Sequence, residues 1–128
     1  MTKQRPKHLA LHEIRLPLAG FASILHRVSG AGLFLMLPLL IWLLQLSLGT
    51  SQQSTELFSA VFSNWLVKLI LLGLLWAFLH HFCMGIRILL IDVHVGVEKQ
   101  QAHNSAMAVM VISLGLTLVL GLKLLGAY

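Results

Sequence analysis

Residues 31–48 read AGLFLMLPLLIWLLQLSL, an apolar run with only Gln45 and Ser47 as polar members. About 20 apolar residues are needed to cross a hydrocarbon core of about 30 Å as a helix. Extended back to Phe21, the run is long enough to span, and it then carries Ser23, His26 and Arg27 in its first two turns. Pro38 lies inside it, a residue that membrane helices tolerate. Two further runs, residues 65–91 and 105–125, are similarly apolar. The whole chain of 128 residues is 58% hydrophobic and 10% charged, and its mean hydropathy is +0.89. A soluble domain carries roughly 25% charged residues, so these few charges cannot coat a water-facing surface. The expected fold is all-α: one domain, residues 1–128, forming a membrane bundle of three transmembrane helices (21–48, 65–91, 105–125) with an N-terminal interfacial segment.

The remaining segments are polar. Residues 1–20 mix leucines with charges and are broken by Pro6 and Pro17, which predicts a headgroup-level segment and a helix start near Pro17. Residues 49–64 and 92–104 read as loops. Lys3, Arg5, Lys7 and Arg15 crowd the N-terminus, the first loop has no Lys or Arg, and the second has Lys99. The positive-inside rule then puts the N-terminus and second loop on the cytoplasmic (or matrix) side; a bacterial inner membrane is expected rather than a mitochondrial one. No cleavable leader is expected, because the first apolar run is long and others follow. The net charge of +5 belongs to this orientation signal; with no basic–aromatic module, nucleic acid is not an expected partner. Cys83 is the single cysteine; it excludes an internal disulfide and reads as a small apolar residue.

Ionisable residues within spans are costly and usually mark function. Two groups stand out: Ser23-Ile24-Leu25-His26-Arg27-Val28-Ser29-Gly30, and His80-His81-Phe82-Cys83-Met84-Gly85-Ile86-Arg87 followed by Asp92. At a 1.5 Å rise, Arg87 lies about 7–8 Å and His81 about 16 Å from Asp92 along the helix. His81 is then near mid-membrane, and His26 and Arg27, entering on the opposite-running first span, sit in its inner third. A midplane histidine above a cationic group suits haem b, whose iron takes a neutral imidazole and whose propionates are anionic. Gly85, one turn from His81, would let a flat macrocycle approach; Ser29-Gly30-Ala31-Gly32 would do the same or pack helices closely. The plainer readings are a hydrogen-bonded packing histidine and a snorkelling Arg27. Periodicity does not choose between the adjacent histidines. His80, Met84 and Arg87 share one face, while His81, Gly85, Ile88 and Asp92 share another. His8, His12, His94 and His103 lie in polar segments and read as surface residues. No nucleophile elbow or oxyanion-loop signal supports a hydrolase.

At these residues the chain resembles the cytochrome b membrane-anchor subunit of succinate dehydrogenase (respiratory complex II). Arg5-Pro6 with His8-Leu9 is similar to that family's opening. Ser23-x-x-His26-Arg27-x-Ser29-Gly30 is similar to its first signature, and His81-x-x-x-Gly85-Ile86-Arg87 with Asp92 to its second. The likeness covers nearly the whole chain. It implies that His81 is an axial ligand of the haem iron, with the second axial histidine supplied by a partner anchor subunit. It implies that His26 and Arg27 lie near the haem propionates, with Arg87 as a further propionate partner. It implies that Ser23 and Arg27 border a quinone, with Ile24 as an apolar wall. Asp92 falls at the cytoplasmic end of the second span. The family often has His or Phe after the motif arginine; Ile88 stands there, which removes one contact near the haem and leaves the axial ligand intact.

The implied complex oxidises succinate on a flavoprotein and passes electrons through an iron–sulfur subunit to a quinone, expected to be ubiquinone. This chain carries no flavin, iron–sulfur or dehydrogenase motif, so no catalytic residue is expected in it. Its expected part is anchoring in the bilayer, ligation of one shared haem b and one wall of the quinone site. The same features admit a quinol:fumarate reductase anchor, and a haem-free structural anchor in which His81 and Arg27 only pack. A transporter is disfavoured, because no acid lies at mid-membrane.

Overall fold

The computed structural model describes residues 15–126. They form four helices, α1 (Leu18–Leu48), α2 (Gln52–Ser63), α3 (Trp65–Asp92) and α4 (Lys99–Leu125), and among the described residues no strand. The interfacial segment expected over residues 1–20, with Lys3, Arg5, Lys7, His8 and His12, lies mostly outside the described residues. The three long helices, α1, α3 and α4, are long and apolar enough to cross a membrane. They have 31, 28 and 27 residues. At 1.5 Å per residue that is roughly 40–46 Å, more than the hydrocarbon core, so each span tilts or reaches into the headgroup layer.

The first span starts where Pro17 predicts. The Pro17 carbonyl accepts from the N–H groups of Gly20 (2.9 Å) and Phe21 (3.1 Å), and the fixed proline φ of −65° leads into the helix. Pro38 stays inside α1. Two boundaries differ from expectation. Residues 49–64 are not an open loop: they hold the 12-residue α2. The Ser51 hydroxyl caps it by accepting from the Ser54 N–H at 3.1 Å, and Leu57, Phe58, Val61 and Phe62 recur at helical spacing within a polar composition. The second departure is the third span, which starts at Lys99 rather than 105; its polar first turns are helical too. Asn64 divides α2 from α3, its side chain accepting from the Leu66 N–H at 2.9 Å.

The turn from α3 to α4 is tight. His94 N–H bonds Ile91 C=O and Val95 N–H bonds Leu90 C=O, both at 2.9 Å, with His94 at φ 63° and Gly96 at φ 78°. This is the double-bonded helix end in which a left-handed residue satisfies the last carbonyls. Here a histidine takes the position that usually favours glycine.

Packing is uneven along the bundle. The core gathers Ala22, Met84, Ala106 and Val109, with Leu18, Ala19, Cys83 and Ile88 against it. These residues come from the start of α1, the end of α3 and the start of α4, one end of the bundle. Small residues there let backbones approach closely, as membrane helices require when no hydrophobic effect drives them together. At the opposite end Gly121 lies against Leu72, where an added Cβ would meet Leu72 Cδ1.

Candidate functional site

His81 hangs from the middle of α3 and its ring lies against α1. Ring nitrogen Nδ1 is 3.0 Å from the backbone carbonyl oxygen of His26. A carbonyl can only accept, so in the neutral ring the proton sits on Nδ1 and donates to His26. The Ser29 hydroxyl donates to the same carbonyl at 2.9 Å and lies 3.3 Å from Nδ1. The His26 ring stacks on the His81 ring with centroids 4.1 Å apart and planes 18° apart. Gly30 makes the seat possible: a Cβ there would come within 2.8 Å of His81 Cε1. The imidazole is therefore held by one nitrogen and one face, and Nε2 keeps its lone pair free of any hydrogen bond among the described residues. A carbonyl that accepts from the other ring nitrogen is the usual orienting partner of a metal-bound histidine.

His80 is different although it is adjacent. It is 0% exposed. Its Nε2 lies 3.4 Å from the Ala22 carbonyl, and its ring stacks on Trp76 at 5.4 Å. A ligand as large as a macrocycle has no approach to it. The geometry thus separates two histidines that spacing leaves equivalent.

The α1 residues follow from helical period. Ser23 and Arg27 are one turn apart and share a face; Ile24, beside them, is 45% exposed. Arg27 is exposed and has no hydrogen bond or ion pair among the described residues. Arg87 lies elsewhere: it is 8% exposed and faces α4. Its Nε donates to the Ser105 hydroxyl (2.9 Å), Nη2 to the Ala102 carbonyl (3.2 Å), and Nη1 approaches the Met84 sulfur at 3.8 Å. Asp92 is exposed at the end of α3, and Gly85 has open space beside it. The structure thus brings together His81, His26, Ser29 and Gly30, and sets Arg87 on a separate face. The sequence marks Ser29 only as a member of the Ser23–Gly30 motif and the small-residue run, and it carries no signal for the part of the His26 carbonyl. Among the described residues no three His, Cys, Asp or Glu gather as a metal site.

This histidine-on-carbonyl seat sits in a chain whose residues 1–120 match the sequence model described as succinate dehydrogenase/fumarate reductase transmembrane subunit. The chain belongs to that family. Among its relatives is the succinate dehydrogenase cytochrome b556 subunit of Paracoccus denitrificans, 36% identical over 104 residues, covering 81% of this chain and 79% of the relative. The subunit of the same name from Coxiella burnetii is 33% identical and covers 88% of this chain and 90% of the relative. That from Rickettsia felis is 30% identical, with 91% and 90% covered. With three apolar helices and bacterial relatives, this family member is a multi-pass membrane protein.

Proposed function

We propose that this chain is the membrane-anchoring cytochrome b subunit of a succinate:quinone oxidoreductase, giving His81 Nε2 to a haem b iron and part of one wall to a quinone-reduction site. The observation that carries the reading is the His81 Nδ1 bond to the His26 carbonyl at 3.0 Å, which leaves Nε2 as the donor nitrogen. When bound, the haem supplies a one-electron redox centre. His81 would hold the iron through Nε2, with a histidine of the partner anchor subunit as a further ligand. His26 and Arg27 would hold the propionates, Arg27 through its positive charge. The Arg87 guanidinium already bonds α4, so its assigned part is to fix α3 against α4 and to add positive charge at that end.

At the quinone, the Ser23 hydroxyl donates a hydrogen bond to a carbonyl oxygen. Arg27 steadies the negative charge that develops on that oxygen as electrons arrive. Ile24 lines the apolar wall. Electrons reach the site from succinate through the flavoprotein and iron–sulfur subunits, so this chain positions groups and performs no dehydrogenation. The N-terminus and the α3–α4 turn face the cytoplasm in the inner membrane, ubiquinone is the acceptor, and succinate oxidation is favoured over fumarate reduction by the names of the relatives.

The test is the optical spectrum of the purified complex. His81→Ala abolishes the b-type bands, while His80→Phe keeps them. Retention of the bands in His81→Ala, or their loss in His80→Phe alone, sinks the assignment.

A further inference from the structure

The two adjacent histidines of α3 grip one turn of α1. His81 Nδ1 is 3.0 Å from the carbonyl oxygen of His26. His80 Nε2 makes a longer bond, 3.4 Å, to the carbonyl oxygen of Ala22. Ala22 and His26 are four residues apart inside α1. Their carbonyls therefore stand in one row, about 6 Å apart along the helix. The two rings leave α3 about 100° apart and land on neighbouring members of that row.

The bond to Ala22 is the one hydrogen bond of the His80 ring among the described residues. The ring is 0% exposed, and its Nδ1 is buried with no hydrogen-bond partner. A carbonyl only accepts, so the proton of the neutral ring sits on Nε2 and Nδ1 carries the lone pair. An ionisable ring inside a span is costly. An apolar side chain would fill the place between Trp76 and Ala22 without leaving a buried nitrogen unpaired. Packing alone does not account for a histidine here; a tie to the α1 backbone does.

What the tie holds is the backbone beside Ser23. Ala22 is 0% exposed and belongs to the close-packed end of the bundle. Ser23, the next residue, is half-buried, and Arg27 is exposed. A helix tied at one carbonyl can still swing about that point. Tied at two, it is fixed in height and rotation. The His81 tie lies beside Arg27, and the His80 tie lies beside Ser23.

We propose that His80 is a positioning residue for the quinone wall: through the Ala22 carbonyl it orients the Ser23 hydroxyl. The inference rests on the quinone roles of Ser23 and Arg27. Ser23 donates to the quinone oxygen both before and during reduction, so misplacing it weakens binding. Arg27 acts on charge that develops during reduction, and the His81 tie keeps it in place when the His80 tie is lost. The expected signature is a change in KM at constant kcat.

The test is steady-state kinetics of the whole purified complex with a short-chain ubiquinone, beside equilibrium dialysis of that quinone against the oxidised complex. His80→Phe keeps a ring and removes the donor. Its KM and dialysis Kd rise roughly 3- to 10-fold, the worth of one neutral hydrogen bond, while kcat and the b-type bands are unchanged. His80→Gln, whose amide can donate to the Ala22 carbonyl, recovers most of the loss. In a Ser23→Ala complex, His80→Phe adds nothing further, because both changes act on one contact. A wild-type KM in His80→Phe overturns the proposal. An equal loss in His80→Gln, or a full additional loss on top of Ser23→Ala, overturns it too, since each makes His80 a packing residue. Should His80→Phe not assemble, the smaller His80→Leu makes the same comparison, and failure of both to assemble decides for a packing role. A Ser23→Ala complex with wild-type KM breaks the quinone assignment itself, whereas a raised KM there beside a normal His80→Phe breaks this inference alone.

Discussion

The two ends of the bundle are built on different rules. At the histidine end, Ala22, Met84, Ala106 and Val109 bring the helices together, and hydrogen bonds cross between them from His81 to His26 and from Arg87 to Ser105 and Ala102. At the leucine end, large apolar side chains surround a cavity of about 510 Å³. Lipid tails solvate leucine as well as leucine does, so apolar surface alone does not close a membrane bundle. Small residues and buried polar groups do, and they are concentrated where the candidate site sits. The tightly packed end holds the polar groups; the other end keeps a leucine-lined gap.

Five substitutions break or sharpen this contrast. The largest effect is expected for Gly30→Val. Its Cβ would fall where the His81 ring lies, 2.8 Å from Cε1, and the branched side chain adds to the clash. Haem content of the purified complex should drop to near that of His81→Ala; normal content would show that the seat is not needed. Next, Arg27→Ala should lower succinate-dependent quinone reduction by about 100-fold, the scale for removing one donor at a developing oxyanion. Succinate oxidation with a soluble dye that takes electrons upstream should be unchanged, and an equal fall in both assays would move Arg27 out of the quinone site.

A paired comparison reads the packing difference itself. Met84 is 1% exposed, and Met84→Ala should destabilise the subunit by about 2–5 kcal/mol. Leu74→Ala, on the wall of the open gap, should cost less than half of that, since one side of the residue already lacks protein neighbours. Thermal denaturation in one detergent measures both, and equal losses would mean the two ends are packed alike. The smallest change is a gain. His94 holds φ 63° in the turn after α3, so His94→Gly should stabilise by up to about 1 kcal/mol. A lower melting temperature would show that the imidazole has a contact worth more than the backbone strain.

Much of this is legible in the sequence. The spans announce themselves because a bilayer demands long apolar runs, and α1 starts just after Pro17, whose fixed φ leads into the first turn. The polar groups at Ser23–Gly30 and His80–Arg87 stand out because charge inside a span is costly. Other features stayed hidden. The helix α2 is short and polar in composition, and its stripe from Leu57 to Phe62 is too brief to outweigh that. The start of α4 is masked because Lys99–Asn104 lie beyond the apolar run yet continue the same helix. Arg87 carries no mark of its partners, Ser105 and Ala102, which belong to another helix.

Composition and periodicity by themselves determined a three-span membrane chain with cationic and histidine groups at defined depths, because those follow from hydropathy and a fixed rise per residue. Which of the two adjacent rings is closed in and which stays open follows only from the tertiary structure. His80 and His81 differ by about 100° around one helix, and nothing local ranks them. The approach of α1 does: Gly30 leaves space for the His81 ring, the His26 carbonyl takes its Nδ1 proton, and His80 is closed in against Ala22 and Trp76.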